Sequence, residues 1–351
     1  MDRSERKDTA QHALVYVGIA VTVVIVLVLL WYAIDVVLLA FVGVLLAILL
    51  RAPADWLTAR CGVSERWSLA LVGVVILAVL VAGAVLFGQG IVAQSLQLAH
   101  RIPEIIEAFR QKLGESELGA RVLALAESSG LFAGGDGQFI GRGLGLIGST
   151  FGAVANVLIV VFFAVFMAAQ PRPYVNGFLF LMPRRHRARG REVIDEIGQV
   201  LRRWLVGQSL LSACVALLTG AGLLLLGAPF AIALGLLAGL MEFVPYIGPF
   251  VAAVPAILVG FADSPQLALK IALLFLFIQS LESYVLAPLI QHKAVYLPPA
   301  VILFAQVLMS VIVGALGVAV ATPLAAAVMV AVSMLYVEDA LGDKNAKVKP
   351  S

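Results

Sequence analysis

The chain has 351 residues, 62% of them hydrophobic and 13% charged, with a net charge of +3 and a mean hydropathy of +1.04. An ordinary soluble domain is about 25% charged, so this composition excludes one, and the small net charge carries no nucleic-acid footprint. Cys61 and Cys214 form no metal or redox spacing, and no nucleophile elbow or phosphate-binding loop points to an enzyme or a bound cofactor.

The first apolar run, residues 13–32, follows Arg3, Arg6 and Lys7. It is too long for a signal peptide and has no small-residue cleavage site, so it reads as a retained first membrane helix. A second follows over 36–50, with Asp35 at the turn between them. A loop is expected over 51–67 and a third helix over 68–94. Residues 1–94 thus form an N-terminal group of membrane helices 1–3.

Residues 95–146 are the longest polar stretch. Ile102, Ile105, Ile106, Phe109 and Leu113 recur at helical spacing, which predicts an amphipathic helical region beside the membrane. Residues 143–148 match a dinucleotide fingerprint by letter, but no strand precedes them and they open a membrane helix, so the match is rejected. Membrane helix 4 occupies 147–170. The segment 171–203 carries eight arginines and an apolar stripe of Val193, Ile197, Val200 and Leu201. It predicts an amphipathic helix lying on the membrane surface before the chain enters it.

The C-terminal core is expected over 204–337, followed by a tail at 338–351. Helix five spans 204–226. Pro229 then opens an apolar stretch to residue 261, too long for one comfortable span at 1.5 Å per residue. Pro245, Gly248 and Pro249 divide it. Helix seven spans 267–290, residues 291–293 form a loop, and Pro298–Pro299 opens a last long apolar stretch that Gly314 and Gly317 interrupt. The expected fold is an all-α polytopic membrane protein of about eight membrane segments, with two broken or re-entrant hairpins.

Of the 24 Lys and Arg residues, eighteen fall in segments on one side when the N-terminus is placed inside. The positive-inside rule then puts both termini in the cytoplasm and 95–146 outside. The core also repeats itself. Gln208-Ser-Leu matches Gln279-Ser-Leu, Pro229 matches Pro299, and the run ending at Pro255 resembles the run ending at Pro323. With helix five running outward and helix seven inward, the copies would be inverted, the arrangement that marks midplane sites in secondary transporters.

Two acids lie deep in the apolar segments, Glu242 and Glu282. A carboxylate at mid-bilayer costs about 2.5–3.5 kcal/mol on insertion scales, so it is a functional candidate. Glu242 sits beside the helix break, where Pro245, Tyr246, Gly248 and Pro249 free backbone carbonyls that can face a solute or cation. Glu282 lies three residues after Gln279, on the same helix face, and Pro288 follows it. Gln208 and Gln279 are amides in apolar helices, where such groups join helices or meet substrate. Gly314, Gly317 and Pro323 mark the second break. Gly235-x-x-x-Gly239 predicts close helix packing. Lys270 and His292 lie nearer helix ends and are not expected to pair with the acids.

The run from Pro229 through Gly235, Gly239, Phe243-Val-Pro-Tyr-Ile-Gly-Pro249 and Pro255 resembles the autoinducer-2 exporter (AI-2E, or PerM-like) family. Gly207-Gln208, Gln279, Glu282, Leu286-Ala-Pro288, the proline pair at Pro298 and Thr322-Pro-Leu-Ala325 resemble it as well. The specific likeness covers about residues 200–335; before that only the layout matches. It departs at Glu242, where the family pattern has a neutral polar residue such as Asn. The resemblance implies a multi-pass transporter of the bacterial inner membrane. Some family members are associated with export of the quorum-sensing signal autoinducer-2 and others with sodium–proton antiport, and the family fold is compatible with a homo-oligomer. The expected function is export of a small solute or cation in exchange for H+ or Na+. A passive channel and a non-transporting membrane scaffold are the alternatives.

Overall fold

The computed structural model describes residues 33–76, 150–291 and 297–343, with isolated positions between 78 and 111. Membrane helix 1, the region 112–146, His292, Lys293 and the last eight residues lie outside the described residues, as does the rejected run 143–148. Among the described residues there is no strand. Four helices are long and apolar enough to cross a membrane, and a fifth if a pair bent by 88° counts as one span.

Helix α1 spans Ile34–Cys61. This corrects the expected loop at 51–67: the helix runs through Pro53 for three more turns and ends only where Gly62 adopts a left-handed φ of 68° and donates to the Thr58 carbonyl. Residues 65–76 are helical again. The Thr58 hydroxyl donates to Ser68 at 2.9 Å, which pins the second helix to the end of the first. Polarity alone suggested a loop here, but a helix backbone satisfies its own hydrogen bonds on either side of the water boundary.

Helix α2 (Thr150–Ala169) ends at Gln170, and α3 (Pro171–Phe180) leaves it at the 88° bend. Pro171 and Pro173 open α3, where their missing N–H groups would be orphans in any case. A single turn at Arg184–His186 leads into α4 (Arg187–Leu225), 39 residues without a break. The boundary expected at 203/204 does not exist. At 1.5 Å per residue α4 is about 58 Å long, roughly twice the hydrocarbon thickness. Its basic first third and its membrane span are one rod, and the short helix ahead of it is α3.

The first apolar stretch of the core divides as expected, into α5 (Ala231–Met241) and α6 (Ile247–Asp263). Helix α7 (Pro265–Leu281) is capped by the Ser264 hydroxyl, which accepts from the Leu267 N–H. It passes through a π-turn at Glu282–Leu286 into α8 (Ala287–Gln291). The last stretch divides at Gly314 into α9 (Pro299–Val313) and α10 (Ala315–Val332), with a second π-turn at Ser333–Glu338.

Two apolar clusters flank the middle of α4. Leu223, Leu234, Ala256 and Ile271 join α4, α5, α6 and α7. Leu45, Leu201, Trp204, Ile302 and Val330 join α1, α4, α9 and α10. The glycine pair at 235 and 239 packs as expected. A Cβ on Gly235 would stand 2.6 Å from the Gly220 Cα, and one on Gly239 2.5 Å from the Ala216 Cβ, so α5 lies almost backbone to backbone on α4. At the polar end of α4, Arg189 donates to Asp339 (2.9 Å), Glu338 (2.8 Å), Glu192 (2.9 Å) and the Met334 carbonyl (3.1 Å). The Asp339 carboxylate first, then Glu192 and Glu338, hold the guanidinium above the ordinary arginine range.

Candidate functional site

The break between α5 and α6 is built from residues of fixed local consequence. Pro245 cannot donate, and its carbonyl accepts from the Ile247 N–H at 2.8 Å. Tyr246 between them has φ 66° and ψ −48°. This is the strained form of the γ-turn, rare for a residue with a side chain. Gly248 follows because nothing larger fits: a Cβ there would lie 1.8 Å from the Met241 carbonyl oxygen. Pro249 falls in the first turn of α6, where a proline is tolerated.

Glu242 closes α5 and is only 2% exposed. Its carboxyl lies within hydrogen-bonding reach of the Glu282 carboxyl. Glu282 opens the π-turn, and its carbonyl accepts from the Ala287 N–H. The turn has a cause two residues on. Pro288 has no N–H to give to the carbonyl of Tyr284, and its ring crowds that position, so the chain widens by one residue just before it. Glu282 lies inside the helix that runs from Pro265 to Gln291, as expected, and at a local widening of it. Gln279 donates to Glu282 Oε2 at 3.1 Å, so the expected shared face of these two is found.

Gln208, buried on α4, donates to the backbone carbonyl of Glu242 and accepts at Oε1 from Gln291 at 3.1 Å. Gln306, fully buried on α9, donates to the Pro245 carbonyl at 2.8 Å. Amides from α4 and α9 therefore hold the two carbonyls of the α5–α6 break, and the α8 amide of Gln291 holds the first of those amides. The Glu242 Oε2 and Gln306 Oε1 atoms receive no amide, hydroxyl or basic donor among the described residues. None of the ion pairs among the described residues reaches either glutamate, and Lys270 is exposed on α7.

Gln306 and Gln291 escaped the sequence reading. Gln306 had the same signal as Gln208 and Gln279, an amide inside an apolar run. Gln291 closes α8 rather than lying in the loop that His292 and Lys293 after it suggest. At the second break, Gly314 has φ 78° and ψ −146°, a region open only to glycine. Gly317 approaches the Met309 carbonyl as Gly248 approaches Met241, and a Cβ there would lie 2.5 Å from that oxygen. Pro323 is buried within α10, Tyr246 is 44% exposed and Pro288 is exposed. Among the described residues no three His, Cys, Asp or Glu side chains gather as a metal set.

"Putative transport protein YueF" of Bacillus subtilis is 28% identical over 186 residues, 52% of this chain and 50% of the relative. "Putative transport protein YrrI" of the same organism is 28% identical over 151 residues, 43% of each. The chain thus matches about half the length of these two relatives. "Putative transport protein sll0063" of Synechocystis is 23% identical over 315 residues, 86% of this chain and 76% of the relative. A family model described as "AI-2E family transporter" matches residues 19–336, and on that match the chain belongs to the AI-2E family of transporters.

Proposed function

We propose that the protein is a secondary active transporter of the bacterial inner membrane. It would export a small solute of the autoinducer-2 type, or a cation, in exchange for H+ or Na+. The observation that carries this reading is the meeting of Glu242 and Glu282 at a break in the backbone, away from any basic partner among the described residues. A hydrogen bond between two carboxyls requires a proton on one of them, since an ionised carboxylate only accepts. Such a pair takes up or releases a proton, or exchanges it for a hard cation that oxygen ligands suit. Glu242 Oε2, Gln306 Oε1 and the Pro245 carbonyl are the oxygens at hand. Gln208 and Gln279 position the pair, while Tyr246, Pro249, Gly314 and Gly317 shape the path.

The two breaks support a repeated unit. In each, a glycine just past the break meets the carbonyl of a methionine seven or eight residues earlier, and a proline follows within two turns. An inverted pair of such units would let the core alternate between two openings around one fixed site. With the basic segment 171–203 inside, both termini are cytoplasmic.

The test is flux in proteoliposomes with an imposed pH or sodium gradient, screening cations alongside autoinducer-2. Glu242→Gln and Glu282→Gln should each uncouple flux from the gradient. Normal gradient-driven flux in both variants removes the assignment, and wild-type flux that ignores every gradient makes the protein a passive pore.

A further inference from the structure

A cavity of about 590 Å³ opens between the polar end of α1, the start of the α4 span and the end of α8. Its walls are apolar: Trp56, Val206, Leu210 and Ile290 line it, and the first three are 61%, 45% and 53% exposed. Arg203 stands at its rim. Neighbouring Arg202 is already engaged, by Asp55 and the Ala52 carbonyl at 2.9 Å each. Arg203 meets only the neutral Gln199 side chain, at 3.2 Å, and no carboxylate among the described residues. The cavity lies where the apolar run of α1 gives way to Arg51 and that of α4 begins at Trp204. That is the level of the membrane–water boundary, on the face that carries the eight arginines of 171–203.

We propose that this cavity holds one anionic phospholipid, its phosphate on Arg203 and an acyl chain along Val206, Leu210 and Ile290. Charge complementarity selects this occupant. An apolar trough alone takes any acyl chain, but an uncompensated guanidinium at headgroup depth favours a lipid with net negative charge over a zwitterionic one. Trp56 at the rim is the residue type that settles at headgroup level. Gln291 also lines the cavity, and it donates to Gln208, the side chain that holds the Glu242 carbonyl. A lipid seated here therefore abuts the first of the amides that lead to the carboxyl pair. The assignment stands whatever the cargo proves to be.

Native mass spectrometry of the purified full chain, given phosphatidylglycerol or phosphatidylcholine at equal concentration, tests it. Wild type should retain one phosphatidylglycerol per chain with a preference of about fivefold over phosphatidylcholine, the effect of one arginine near the surface. Arg203→Gln should bring the ratio close to one, Arg203→Lys should keep most of it, and Leu210→Trp should reduce retention of both lipids by filling the trough. Equal retention of the two lipids by wild type overturns the proposal, as does an unchanged preference in Arg203→Gln. Displacement of the lipid by millimolar inorganic phosphate also overturns it, because the site would then recognise the free anion without its chain.

Discussion

Gln306 on α9 donates its amide to the carbonyl of Pro245, the same oxygen that accepts from Ile247 across the strained turn at Tyr246. A residue of the second broken hairpin thus secures the sharpest bend of the first. Backbone strain of this kind persists only where its surroundings over-determine it.

Gln306→Leu keeps the volume and removes that donor. The expected cost is about 1 kcal/mol of stability, the net worth of one such hydrogen bond, together with a larger loss of transport as Tyr246 leaves its positive φ. Thermal unfolding and proteoliposome flux measured on one preparation separate the two. A stable variant with unaltered flux would show that the turn does not need α9.

Gly248→Ala should be the most damaging small change in the core. Its methyl would fall 1.8 Å from the Met241 carbonyl, backbone that cannot swing aside, and overpacking of that severity costs more than about 3 kcal/mol. Gly314→Ala meets open space but must hold φ 78° and ψ −146°, for about 1–3 kcal/mol. Melting temperatures should rank wild type above Gly314→Ala above Gly248→Ala; the reverse order contradicts the clash argument.

Gln208 and Gln291 should behave as a unit. Gln208→Leu removes the donor to the Glu242 carbonyl and the acceptor for Gln291 together, so adding Gln291→Leu should cost little more. A double-mutant cycle should give a coupling of about 0.5–3 kcal/mol. Strict additivity would mean that the two amides act separately.

Glu242→Gln should fold normally, because a carboxamide can still donate to Glu282. Its flux should lose dependence on pH, since the replacement has no proton to exchange. Wild-type flux should change with pH on one side of the membrane while Glu242→Gln stays flat. Parallel pH profiles for the two proteins would remove Glu242 from any coupling role.

Arg189→Gln should lower the melting temperature, because three hydrogen bonds between the start of α4 and the turn at Ser333–Asp339, with a fourth to Glu192 on α4 itself, are lost or weakened. The difference from wild type should shrink at high salt, where exposed ion pairs are screened. A salt-independent difference would point to packing as the cause.

The breaks were readable in advance because proline and glycine act locally: Pro245, Gly248 and Gly314 interrupt a helix whatever surrounds them. The meeting of Glu242 with Glu282 was not readable. The two stand forty residues apart, and only the packing of α5 and α7 on the shared α4 brings their carboxyls together. Polarity misled in two places. Three arginines between 51 and 67 suggested a loop, and the change from basic to apolar near Trp204 suggested a helix boundary, yet α1 runs on to Cys61 and α4 runs through Trp204. A helix crosses from water into lipid without a break, because its backbone is equally satisfied in each. Gln306 was missed for a different reason: an amide in an apolar run shows that it will find a partner, but not which one.

The unbroken course of α4 has a mechanical consequence. Arg189, clamped to the turn at Ser333–Asp339, and Gln208, bonded to the Glu242 carbonyl, are about 28 Å apart on one helix with no proline between them. There is no joint to absorb movement, so a tilt or turn at the charged end is delivered to the carboxyl pair as a displacement of its holding amide. The helix is a lever arm, and whatever grips or releases Arg189 has mechanical access to the carboxyl pair.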